Sequence, residues 1–125
     1  MPPRSRERAH RYGLTAEKIA ALYLRCKGYR IVAERYRNHH GEIDLLAMKG
    51  NVLVAVEVKA RQSLTQCEES VPPWKQRKIA RAMEGMLSGG KIAGLAGEKD
   101  FNIRFDVVWI APWQWPCHIR DAWRP

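Results

Sequence analysis

The run Val52-Leu53-Val54-Ala55-Val56 is the strongest apolar strand signal in the chain, and Glu57 and Lys59 interrupt it at its end. Consecutive apolar residues rich in valine read as a strand buried on both faces. Upstream, Glu42 to Met48 reads as a second strand, separated from Asn51–Ala60 by Lys49-Gly50-Asn51. Gly50-Asn51 suits a two-residue hairpin turn, with Gly50 supplying a positive φ at its first central position. Such a turn sets the register. Ile43 is then expected opposite Val58, Leu45 opposite Val56 and Ala47 opposite Val54, on one apolar face. On the other face Met48 meets Leu53, Leu46 meets Ala55, Asp44 meets Glu57 and Glu42 meets Lys59.

That register sets two carboxylates against each other at the end of a buried sheet. Like charges directly opposite are destabilising, and burying them unpaired costs several kcal/mol more. A divalent cation removes the conflict. Hard oxygen donors suit Mg²⁺ or Mn²⁺, bound by one or two carboxylates plus water and phosphate oxygens. Lys59 lies two residues beyond Glu57 and so points to the same side. Metal-bound water beside an ammonium is equipment for phosphodiester hydrolysis, with Asp44 and Glu57 as metal ligands and Lys59 as the charge stabiliser. The plain alternative is a solvated salt-bridge patch of Glu42, Asp44, Glu57 and Lys59.

The remaining chain predicts a helix after Gly13-Leu14, capped by Thr15 and ended by Gly28, with Ala16, Ile19, Ala20, Tyr23 and Leu24 on its apolar face. Tyr29 to Arg37 reads as the first strand. Pro72-Pro73 suits the start of a second helix, whose stripe is Ile79, Ala82, Met83, Met86 and Leu87. Ser88 to Asp100 reads as a glycine-rich loop, and Phe101 to Ile110 as a fourth strand. The order helix, three strands, helix, strand implies a mixed α/β sheet with helices packed on it, the last strand parallel to the third. Residues 1–12 read as a flexible basic arm, and 13–125 as one domain. Trp113 and Trp115, interleaved with prolines, read first as a cap on the core and second as bases' stacking partners.

Charge supplies the partner class. Twenty-two Lys and Arg face thirteen Asp and Glu among 125 residues, a net charge of +9. Nucleic acid is the first expected partner and an anionic membrane surface the second. Arg37, Arg61, Lys75, Arg77, Lys78 and Arg81 are the candidate phosphate contacts. No apolar run approaches the ~18 residues of a membrane span. Three scattered cysteines without a C-x-x-C pair point away from zinc and disulfides and towards a reducing cytoplasm. Gly85 to Lys91 fits G-x-x-x-x-G-K, but Ile92 replaces Ser/Thr and the segment leaves a helix, so it is no phosphate-binding loop.

An acid on one strand and Glu-x-Lys on the next resembles the PD-(D/E)xK nuclease motif. Here the boxes read Gly41-Glu42-Ile43-Asp44-Leu45 and Val56-Glu57-Val58-Lys59-Ala60-Arg61. With Glu17, Lys75 and Arg104-Phe105-Asp106-Val107-Val108, residues 13–123 resemble the YraN family of small bacterial predicted endonucleases, itself distantly similar to archaeal Holliday-junction resolvases. The resemblance implies a restriction-endonuclease-like αβββαβ core. It further implies Glu17 as an accessory acid and the Val58 carbonyl as a third metal ligand. Ile43, not proline, precedes Asp44, and Arg35 stands where asparagine is expected. The functional expectation is a metal-dependent nuclease acting on DNA, branched or single-stranded; junction resolution would call for a homodimer. The alternatives are a non-catalytic nucleic-acid-binding module and a protein-interaction factor that retain the fold.

Overall fold

A computed structural model of the chain describes residues 15–64, 70–89 and 102–125. Helix α1 covers 15–26, followed by β1 (Arg30–Asn38), β2 (Gly41–Lys49) and β3 (Val52–Ala60). Helix α2 (Pro73–Gly89), β4 (Asn102–Ile110) and the short β5 (Cys117–Ile119) complete the described order. The basic arm, most of the glycine-rich loop and Cys67 lie outside the described residues.

The strands form one sheet in the order β1-β2-β3-β4-β5. All neighbours are antiparallel except β3 and β4, which run parallel across the connection containing α2. Gly50 has φ +59°, as the hairpin turn requires. The expected register holds for five pairs, from Lys49↔Val52 to Leu45↔Val56. Leu53, Val54, Ala55 and Val56 are each at most 1% exposed because the sheet is covered on both faces. One face packs Leu45, Ala47, Val54, Val56 and Val108 against Ala16, Ala20 and Leu24 of α1. The other packs Leu46, Leu53, Ala55 and Val107 against Ile79, Met83 and Met86 of α2. Each fully buried Val, Leu, Ile or Met side chain among them contributes about 1.5–3 kcal/mol of transfer free energy.

Helix ends follow from local chemistry. Tyr29 N–H donates to Leu24 O and Gly28 N–H to Arg25 O, both at 3.0 Å, with Gly28 at φ +91°. That is the double bond of a glycine-terminated helix. Thr15, the first described residue, is already helical, and the residues before it, on which the expected cap depends, lie outside the described residues. At α2, Lys75 and Gln76 N–H both donate to Pro72 O at 3.0 Å, and Pro73 occupies the first helical position, where no N–H is needed.

Several expectations are corrected. Ile19 is 40% exposed rather than part of the apolar face of α1. Trp113 and Trp115 cap nothing: they are 103% and 86% exposed. The capping role belongs to Trp123, stacked on Phe105 with ring centroids 5.3 Å apart. Strand β5, a three-residue edge in the tryptophan-proline tail, was not expected at all. Ile43 joins Leu46 on the α2 face, where strict alternation would send it to the other side. The ladder between β2 and β3 gives out beyond Leu45↔Val56, and Val58 N–H donates instead to Asp44 Oδ2 at 2.9 Å. Across from Asp44 on β1, between the pairs Glu34↔Leu45 and Tyr36↔Ile43, Arg35 adopts φ +56°. Pleat alternation breaks in both strands at this level.

A buried charge network ties β4 to β5, the C-terminal turn and α1. Asp106 is fully buried and accepts from Arg104 Nε and Nη2, both at 2.8 Å, and from Asp121 N–H at 3.0 Å. Its Oδ2 lies 2.7 Å from His118 Nε2, and His118 Nδ1 lies 2.7 Å from Lys27 Nζ. A neutral His118 donating through Nε2 and accepting at Nδ1 satisfies both contacts. Burial opposes ionisation of Asp106, but the hydrogen bonds from His118, Arg104 and Asp121 outweigh it and hold the carboxyl below 3.8. A folded-state value below the unfolded one gives stability that is present above about pH 4 and lost as pH falls further. Asp106→Ala leaves Arg104 without its buried partner and should cost about 3–5 kcal/mol. Urea unfolding at pH 7 should show that loss, and the gap to the parent protein should narrow at pH 3.

Candidate active site

The C-terminal end of β3 carries the site because β2 and β3 separate there. Loss of the ladder beyond Leu45↔Val56 leaves Val58 N–H to the Asp44 carboxylate. An extended residue presents its N–H and C=O to the same neighbouring strand, so the Val58 carbonyl faces the same side as Asp44. Glu57 and Lys59 both project towards the α2 face, where Glu57 is 5% and Lys59 9% exposed. Trp109 of β4 provides the platform under the cations. Lys59 Nζ lies 5.7 Å and the Arg61 guanidinium 5.3 Å from its ring centroid.

These residues enclose a cavity of about 390 Å³ lined by Glu17, Asp44, Glu57, Val58, Lys59, Arg61 and Lys75, with Ala16 and Ala60. Six of them come from the strand pair and its exit. Glu17 enters from α1 and Lys75 from the first turn of α2. Lys75 Nζ makes a 2.7 Å ion pair with Glu57 Oε1, so the cation touching Glu57 comes from α2. Glu42 does not meet Lys59. It pairs with Arg37 at 3.3 Å and with Arg35 at 3.9 Å, and it lines a neighbouring groove instead. Arg37 and Lys78 line that same groove. Arg77 and Arg81 line a separate hollow beside Glu84 and Pro125.

Residues 16–110 match the family described as uncharacterised protein family UPF0102. The chain belongs to this family. It is the YraN-like family that the two boxes resemble. A UPF0102 protein of Parvibaculum lavamentivorans is 47% identical over 117 residues, covering 94% of this chain and 84% of the relative. One from Mesorhizobium japonicum is 42% identical over 121 residues, covering 97% and 93%. A third, from Paramagnetospirillum magneticum, is 41% identical over 127 residues, covering 98% and 95%. The matched span contains every residue of the cavity.

Electrostatics single out the acids. Burial, followed by the charge of Glu57, pushes Asp44 up to about 8. Glu17 is raised too, chiefly by burial, although Arg35 Nε sits 3.7 Å away and opposes the shift. Among the described residues no group of three or more His, Cys, Asp or Glu side chains comes together as a metal site. The donor set at β2–β3 is two carboxylates and a backbone carbonyl. That set fits a hard cation completing its shell with water and phosphate, and it does not fit closed tetrahedral zinc.

Lys75 was read from sequence as a phosphate contact, and only the fold shows it at Glu57. Trp109 was not singled out. Its signal was available, since a parallel fourth strand paired with β3 places one of its residues beside Lys59, and the observed partner is Trp109.

A carboxyl whose folded-state pKa lies above its unfolded value costs stability as pH rises between the two. For Asp44 that interval runs from 3.8 to about 8. In chelator, Asp44→Asn should therefore raise the melting temperature, and by more at pH 8 than at pH 5. Calorimetric scans at the two pH values check this; an equal or shrinking gap would contradict the raised pKa of the buried Asp44.

Proposed function

We propose that this protein is a metal-dependent nuclease that hydrolyses phosphodiester bonds in DNA. The observation that carries the reading is the Asp44–Glu57 pair, two carboxyls held together in a cavity that also presents Lys59, Arg61 and Lys75. Burial beside the Glu57 charge favours a proton on Asp44, and a divalent cation would relieve the same conflict while leaving both acids ionised. The net charge of +9 supports a polyanionic substrate. The resemblance of the two boxes to the PD-(D/E)xK motif supports the same chemistry.

Asp44, Glu57 and the Val58 carbonyl would hold Mg²⁺ or Mn²⁺, which when bound polarises a phosphate and lowers the pKa of water. Lys59 is held by the Trp109 face on the rim of the same cavity. Its ammonium stabilises the negative charge that develops on the phosphate oxygens during attack. Lys75 of α2 and Arg61 at the exit of β3 both line the cavity and position the phosphate. Glu17, raised by burial, holds its proton more readily than an ordinary glutamate, which suits an accessory acid.

One observation favours a second reading. The 2.7 Å contact of Lys75 with Glu57 already compensates one buried charge, as it would in a non-catalytic nucleic-acid-binding module.

The test uses purified protein on a panel of branched, nicked and single-stranded DNA. Mg²⁺ or Mn²⁺ should switch on cleavage and chelator should stop it. Asp44→Ala should abolish cleavage with binding intact, and Lys59→Met should lose about 10²–10³-fold in rate. Salt-sensitive binding without any cleavage would favour the binding module, and loss of both would favour a protein-interaction factor.

A further inference from the structure

Next to the carboxylate cavity lies a groove of about 380 Å³, and Lys75 belongs to both. One wall of the groove is the first turn of α2, with Trp74 and Lys78. The other is the β1–β2 turn, with Arg37, His39 and His40. The turn is fixed to the helix. Asn38 Oδ1 accepts from His40 N–H at 2.9 Å and Gly41 N–H at 3.2 Å, while Asn38 Nδ2 donates to Ala82 O of α2 at 3.0 Å. Gly41 lets the walls meet, since a Cβ there would stand 3.0 Å from the Lys78 carbonyl oxygen. The two walls are thus held together by the Asn38 side chain and by the close backbone approach at Gly41.

Trp74 is 55% exposed despite being one of the largest apolar side chains in the protein. Lys78, one helical turn on, places its ammonium 5.6 Å from the Trp74 ring centroid. An exposed indole flanked by cations has the two features that recognise a nucleotide: a flat face for the base and positive charge for the phosphate. Bases of an intact duplex are stacked on one another and cannot lie on that indole. The observations therefore favour an unpaired strand.

We infer that this groove is a binding subsite for unpaired nucleotides of a nucleic-acid strand, with Trp74 stacking on a base and Lys78 and Arg37 contacting phosphates. The strand then continues past Lys75 into the carboxylate cavity. This inference rests on the nuclease reading and gives its substrate a class, DNA with a single-stranded segment at the point of cleavage. Trp74 is a binding residue here and takes no part in the chemistry.

Binding of a labelled single-stranded oligonucleotide and of a blunt duplex of the same sequence, measured by fluorescence anisotropy on the full chain in chelator, separates this from catalysis. The parent protein should prefer the single strand by at least about tenfold. Trp74→Ala should weaken single-strand binding by about 5- to 100-fold, with less than a twofold effect on duplex binding. Trp74→Phe should retain most of the single-strand affinity, and Lys78→Ala should flatten its salt dependence. Because Trp74 is exposed, the melting temperatures of its variants should match the parent. Single-strand binding within twofold of the parent for Trp74→Ala, or equal losses on both substrates, would overturn the subsite and leave the nuclease reading standing. A parent protein that binds neither substrate would overturn both.

Discussion

Two acids that repel each other sit where two buried strands part, and the rest of the site is arranged around that conflict. Asp44 and Glu57 are brought together by a hairpin whose register is enforced by Gly50 and by apolar residues on both faces. Neither strand can slip, because a one-residue shift would turn Leu46 and Leu53 away from the α2 core. The conflict is therefore imposed by the packing of the sheet. The structure meets it in three ways: a raised Asp44 that favours its protonated form, the Val58 N–H donated to Asp44, and the Lys75 ammonium against Glu57.

Charge becomes intelligible in the same terms. A net charge of +9 spread evenly would imply only weak attraction to any polyanion. Here the cations have specific places. Lys59 and Arg61 lie over Trp109, Lys75 stands on Glu57, and Arg37 and Lys78 border the adjoining groove. Arg104 is committed elsewhere, held in a bidentate pair with the buried Asp106. Among the described residues, some basic side chains thus build the fold while others face the cavity and groove.

Much of this was legible from residues alone. The hairpin, the parallel fourth strand, the glycine that ends α1 and the stripe of α2 all follow from local patterns that the tertiary structure reinforces. What was not legible depends on departures from regularity. Strict alternation predicts Asp44–Glu57, Ile43–Val58 and Glu42–Lys59 pairs, but the ladder stops before all three, at Leu45↔Val56. Ile43 then turns to α2, and Glu42 turns to Arg37. A hint lay in Arg35. The asparagine expected there tolerates the left-handed backbone far better than arginine does, and φ +56° shows that this position demands it. Lys75 at Glu57 could not be read because the separation between α2 and β3 along the chain says nothing about helix orientation. Exposure of Trp113 and Trp115 opposed the general tendency of tryptophan to bury, and Trp113 does so with a positive φ of 60°.

The central claim is that Asp44 and Glu57 form a cation site. The most direct measurement is a crystal structure of the protein grown with Mn²⁺, read from the metal's anomalous signal. The account predicts a peak between the Asp44 and Glu57 carboxylates and next to the Val58 carbonyl, with Lys75 withdrawn from Glu57. A map with no peak there at saturating Mn²⁺, and with Lys75 still paired to Glu57, would contradict it.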